Sequence, residues 1–479
     1  MSALIEWRSR GRSAVIGLAA GLAAVALVAV MAAIATAAPS GFLHIRSNLS
    51  QTPGLVSAPP DIAVSSSGDW VAVAWTEEYD VGVGSGKGRG HVYLRAASET
   101  GGGWGDKIRV FTGDYNNCAT NVSVAITGTT AHVAYVEFSD TCNNPTQMVV
   151  RHTRCSLTEG ECEAPEGWGD SSENEITWVD LALDAQGNPH VVWSRYNHAL
   201  EISQVYYRPS DSAGWRGLEF VESTDDSGKP AIAWADGYAH VVWEETDGGV
   251  GIRYARRPSD PGASWEDDVS IYRYSTGQPA GNPDVAAGSG QVFVVWDTCS
   301  EFDEYAKHCV GHYSLVYRRS LDRGAHWGLE LDETREVGTD HKTNLVQYAS
   351  SDNLAERNES LFDLQPSIAL NNAGAPAVVW HADQSSGVGD PDCAIHYAYA
   401  FTTTPDAVGW ITHTVLREGL PALGSAVVGL GQTEPGGDQH LHVAYVRETS
   451  DGFDVYYDSN EEHEYERIYL PLVLRAGDV

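Results

Sequence analysis

A chain of 479 residues with 65 acidic against 30 basic side chains and a formal net charge of −35 has no basic footprint for a phosphate backbone, which excludes nucleic acid as a partner. Its 49 Gly, 15 Trp and 22 Tyr suit many short strands joined by tight turns and argue against long helices. The surplus of carboxylates favours solubility and divalent cations such as calcium.

Residues 1–38 stand apart. Arg8, Arg10 and Arg12 precede an apolar, Ala-rich run from Ala14 to Ala38, the pattern of an export signal. Ala35 and Ala37 offer a cleavage site, while the length of the run also suits a signal anchor that spans a bilayer uncut. Either outcome predicts a secreted or cell-surface protein that meets a membrane only through this segment, if it is uncleaved. Removing the segment takes away three Arg and Glu6, so the remainder is more acidic still.

From residue 39 to 463 one unit recurs. It reads P-x-φ-A-φ, a short turn, then φ-φ-φ-W, and runs from Pro60 to Trp75, Val122 to Tyr135, Val179 to Trp193, Pro230 to Trp243, Pro283 to Trp296, Pro366 to Trp380 and Ser425 to Tyr445. A third apolar stretch follows each, starting at Val92, Met148, Val205, Ile252, Leu315, Ile395 and Val455. A fourth opens at Trp104, Trp168, Trp215, Trp265, Trp327 and Trp410. Four short strands per repeat predict an all-β, seven-bladed β-propeller of four-stranded antiparallel blades. The last repeat lacks a Trp-led fourth strand. Residues 41–46, GFLHIR, resemble GWITHT at 409–414, so the N-terminal strand is expected to close the last blade and remove an exposed edge. Residues 464–479 form a C-terminal tail whose YLPLVL run is too short to span a membrane. It reads as a sorting segment like those of some exported bacterial proteins, or as an extra outer strand.

All seven cysteines follow the export segment, where disulfides are permitted. Spacing pairs Cys155 with Cys162, Cys299 with Cys309 and Cys118 with Cys142, leaving Cys393 over. No CxxC pair with zinc spacing is present. Neither G-x-S-x-G, a P-loop nor H-E-x-x-H occurs.

Ser320-Leu321-Asp322-Arg323-Gly324-Ala325-His326-Trp327 fits S-x-D-x-G-x-x-W. A partial copy retains Asp260, Gly262 and Trp265, and another Glu99, Gly101 and Trp104. The full copy resembles the Asp-box of BNR-repeat, sialidase-like propellers. The resemblance implies that Ser320, Asp322, Gly324 and Trp327 are a structural turn away from any active site, and that a funnel at the propeller mouth is the working site. Sialidases of this superfamily use an arginine trio, a Tyr nucleophile paired with Glu and an Asp acid/base. Here only Arg195 and Arg447 fall at the inner rim, no Arg-Ile-Pro follows the N-terminus and no Tyr stands out, so no catalytic residue is assigned.

Long loops at 76–91, 137–147, 297–313 and 381–394 share one face with the connections between blades, and binding sites ride on such loops. Charged residues gather there just past the second strands: Glu77, Glu137, Arg195, Glu244, Glu245, Asp297, His381, Asp383 and Arg447. Asp61, Asp180 and Asp284 open first strands beside the channel. Carboxylates around one funnel suit calcium or a ligand, or supply a paired acid and base for glycoside hydrolysis. Two functions follow: a non-catalytic binding module for glycan, surface protein or cation on the long-loop face, and a sialidase-like glycoside hydrolase of the exo-α-sialidase type.

Overall fold

The structure is a computed structural model. It describes residues 47–459 apart from 79–88, 99–102, 140–146, 169–174, 246–250, 273–279, 328–342, 347–364, 383–393, 404–407, 417–425, 431–439 and some shorter loop positions. The export segment, residues 41–46 and the tail lie outside the described residues. So do Asp383, Cys142, Cys393 and the side chains of His381 and Cys309.

Every described element is a β-strand, and the pairings between them are antiparallel apart from one isolated bridge. Asp61–Val64 pairs with Trp70–Glu78, which pairs with Gly90–Ser98, which carries Ile108–Phe111 on its outer side. The same order recurs in the sheet of Ser227–Ala235, Tyr238–Glu245, Gly251–Pro258 and Val269–Tyr272, and in those that open at Ala280–Gly288 and Ser367–Leu370. Second strands read as unbroken apolar runs because both faces are covered: from Val71 to Glu78 every residue is buried. The core is accordingly divided between neighbouring sheets. Trp243 packs with Val192, Val205 and Tyr207 of the preceding sheet, and Trp75 and Tyr93 pack with Ala444, Val446 and Val455.

The first strands stand side by side. Asp61–Val64 neighbours Asn117–Thr127, and the succession continues through Ile176–Leu183, Ser227–Ala235, Ala280–Gly288 and Ser367–Leu370 to Val427–Leu430, which lies against Asp61–Val64 again. At the N-terminus Ser47–Asn48 pairs with Gly452–Ser459, placing Ser47 opposite Tyr457. Asp454 then accepts hydrogen bonds from Ser50 Oγ (2.6 Å) and Asn48 Nδ2 (2.8 Å). Thr52 Oγ1 donates to Glu77 (2.7 Å), tying the same segment to the first sheet.

A second device joins consecutive sheets. Buried histidines in second strands meet tyrosines in third strands: His190 Nδ1 with Tyr207 Oη (2.5 Å), His240 with Tyr254 (2.7 Å) and His442 with Tyr457 (2.6 Å). A Trp from the following repeat stands edge-on against each tyrosine, as Trp265, Trp327 and Trp104 respectively. In the second repeat His132 and His152 take the two places, with Trp215 against His152. Burial pulls His132 and His240 down to about 4 and His152 to about 3.

The Ser320–Trp327 turn closes on itself. Ser320 Oγ donates to Asp322 (2.8 Å) and accepts from Gly324 N (2.9 Å), while Asp322 accepts from His326 N (2.9 Å). The His326 ring first, then His326 N and Ser320 Oγ, hold the Asp322 carboxyl below its ordinary range despite its desolvation. Gly324 has φ +79°, and a Cβ there would lie 1.7 Å from Tyr254 Oη. A disulfide joins Cys155 and Cys162 across paired strands. Cys118 and Cys299 are also disulfide-bonded.

Candidate functional site: an axial cavity

Where the first strands converge they line a cavity of about 490 Å³. Each strand contributes an equivalent position to its lining: Asp61, Ser123, Asp180, Ala231, Asp284, Ser367 and Val427. The three aspartates reach across to the next strand's backbone. Asp61 accepts from Val124 N (2.7 Å), Asp180 from Ile232 N (2.8 Å) and Asp284 from Ile368 N (2.8 Å). Each also accepts from the N–H that follows it in its own chain, and Ser123 Oγ donates to Asp180 (2.8 Å).

Removal from bulk water, and then the charge of Asp180, push Asp61 and Asp284 up to about 7. Burial raises Asp180 as well. The backbone N–H groups oppose this shift without cancelling it, since they favour the charged form. The carboxylates therefore repel one another through a low-dielectric cavity.

Two residues before this position the strands bulge. Register shifts occur between Thr120 and Val122, Gly228 and Ala231, and Gly281 and Asp284. Asn121, Lys229, Asn282 and Gln365 adopt left-handed φ of 42–51°, which re-aims the side chain at a strand end. Asn121 Nδ2 donates to Thr177 O (2.7 Å). Lys229 Nζ donates to Asn282 Oδ1 (2.6 Å) and pairs with Glu244 (3.2 Å). In the third repeat the place belongs to Trp178, 37% exposed and lining the cavity. Arg89, with its guanidinium over the Phe138 ring, and Glu175 complete that side.

Among the described residues, Glu77, Glu137, Arg195, Glu244, Glu245, Asp297 and Arg447 are not part of this lining. Glu77 is buried against Trp75 Nε1 and Lys107 Nζ (3.3 Å), Glu137 pairs with Arg151 (2.6 Å) and Glu245 with Arg253 (3.8 Å). Asp297, also buried, accepts from Asn282 Nδ2 (2.9 Å). Arg195 lies over Tyr206 and Arg447 over Tyr456. Sequence reasoning passed over Trp178, Asn121 and Lys229. A signal existed for the first: Trp178 occupies neither of the two Trp positions of the repeat. Among the described residues no group of three or more His, Cys, Asp or Glu is placed to hold a metal ion.

No protein-family model matches the chain, and no curated protein matches it. Several solved structures are similar to it. They include a Trypanosoma rangeli sialidase in complex with sialic acid (11% identity, TM-score 0.45, 87% of this chain and 59% of that one). A phage phi92 endosialidase (9%, 0.45, 91% and 72%) and a Penicillium chrysogenum alpha-L-arabinanase complexed with arabinobiose (11%, 0.40, 71% and 92%) are similar too. The chain thus spans less than two thirds of the length of the trypanosomal sialidase.

Proposed function

We propose that the chain is an exported, seven-bladed propeller, closed by its own N-terminal residues, that binds a glycan in its axial cavity without cleaving it. The succession of first strands that returns from Val427–Leu430 to Asp61–Val64 supports the ring. The pairing of Ser47–Asn48 with the last sheet supports its closure. Residues 1–38 are the export segment in this reading, leaving a secreted or cell-surface protein.

Trp178 carries the functional reading. It is a large aromatic held in contact with solvent at the wall of a cavity whose other lining is rich in hydroxyl, amide and carboxyl groups. An apolar platform with a few convergent polar groups is the composition of a small-ligand site, and an aromatic face suits the C–H face of a sugar ring. Titration of the full chain with a panel of oligosaccharides, followed by tryptophan fluorescence and calorimetry, tests it. Trp178→Ala is expected to weaken the best binder by roughly tenfold or more while leaving the melting curve in place. Equal binding by the variant would remove the site from this cavity.

One observation favours the sialidase-like hydrolase as a second reading. Asp61 and Asp284, pushed up to about 7, hold a proton near neutral pH as a general acid must. Turnover of a fluorogenic sialoside that disappears in Asp61→Asn would put this reading first.

A further inference from the structure

The charge balance of the cavity says what kind of glycan fits. Among the described residues six ionisable side chains line it: Asp61, Asp180, Asp284 and Glu175 against Arg89 and Lys229. Lys229 is taken up by Glu244 and Asn282. Arg89 has Glu175 as its counter-charge. Asp61, Asp180 and Asp284 form no salt bridge with a described residue, and what they accept comes from neutral backbone and hydroxyl donors. A carboxylate offers about four lone-pair sites. Asp61 and Asp284 each have two backbone bonds and a neighbouring serine hydroxyl, Ser123 and Ser367 respectively, which leaves about one of the four sites on each open toward the cavity.

We infer that the ligand is an amino sugar bearing a free ammonium group, its ring against Trp178 and its N–H donors among Asp61, Asp180 and Asp284. The inference rests on the glycan reading and narrows it. An ammonium brings three donors and one positive charge, and so satisfies the spare acceptors and offsets the mutual repulsion together. A neutral hydroxyl does only the first. A sugar acid brings a further negative charge beside these carboxyls and is disfavoured. A bare metal ion needs several oxygens converging within about 2.6 Å, which the described residues do not supply. The net charge of −35 adds long-range attraction for a cation, and this attraction falls with salt.

Calorimetry on the full chain with a glucosamine trisaccharide and its fully N-acetylated counterpart isolates the charge, because the two differ only at the amine. The free amine is expected to bind roughly tenfold tighter at low salt, with the preference shrinking severalfold at high salt and disappearing in Asp284→Asn. Trp178→Ala should weaken both sugars alike. Equal or tighter binding of the N-acetylated sugar overturns the charge inference and leaves the glycan reading standing. Failure of both sugars, together with every neutral and acidic glycan of the panel, overturns the two together. Should Asp284→Asn fail to fold, the salt dependence on the unaltered protein decides: a preference that salt does not reduce overturns the inference.

Discussion

His240 lies between two strands with its Nδ1 2.7 Å from Tyr254 Oη, and burial first, with Arg256 nearby, lowers its pKa from 6.5 to about 4. Because the folded value lies below the unfolded one, the folded protein binds fewer protons between them. The stability this group contributes is full above the unfolded value and is lost as pH falls from 6.5 toward 4. At ~1.4 kcal/mol per pH unit the loss reaches roughly 2.5 kcal/mol by about pH 4.5. His240→Phe removes that dependence, and the replacement has a precedent in the fold, since Phe293 stacks on Tyr317 at the equivalent place of the next repeat. At neutral pH the variant loses the hydrogen bond and strands a buried hydroxyl, a cost of about 1–3 kcal/mol. Urea unfolding monitored by tryptophan fluorescence, repeated from neutral to acid pH, should show this deficit closing and then vanishing. A gap that stays constant with pH would mean that His240 titrates alike in the folded and the unfolded protein, and the argument would be refuted.

Gly324→Ala forces a Cβ to within 1.7 Å of Tyr254 Oη at φ +79° and should cost about 2 kcal/mol or more. Gly262→Ala, at φ +84° with nothing within 4 Å, should cost only about 1 kcal/mol, and a pair of thermal melts compares them. Asp454→Ala strips the acceptor from Ser50 and Asn48 and should lower stability by roughly 1–3 kcal/mol. Proteolysis should then cut first near residues 47–57. Unchanged protection there would separate the N-terminal segment from the last sheet.

The periodicity of apolar runs made the strands legible, because second strands covered on both faces leave no room for polar alternation. Asp61, Asp180 and Asp284 could be placed beside the axis because they share one position of the repeat, although only Asp61 opens its strand and the other two lie inside theirs. Their roles as acceptors were not legible. Val124, Ile232 and Ile368 lie 63, 52 and 84 residues away in the chain, and the donor is a backbone N–H without a side-chain signature. The His–Tyr–Trp stacks hide for a related reason: each joins two strands of one repeat to a loop tryptophan of another, and only the histidine is marked by the second-strand pattern. At the rim, Glu77 and Glu137 are charges that periodicity cannot tell from ligand-binding ones. Lys107 and Arg151 come to them from other strands.

Around the cavity wall the facing residues run Asp61, Ser123, Asp180, Ala231, Asp284, Ser367, Val427. Carboxylates on alternate strands are kept apart by a neutral neighbour, but alternation cannot be carried around an odd number. In the proposed ring of seven, a further aspartate at Val427 would stand directly beside Asp61. The pattern breaks between the last described sheet and the first, and the fastening there moves outward to Asp454, Ser50, Thr52 and Glu77. Tension applied through the ends of the chain would load this peripheral seam before any axial clasp. The outer edge is where the molecule would yield first under force, and the cavity wall is the last part that would deform.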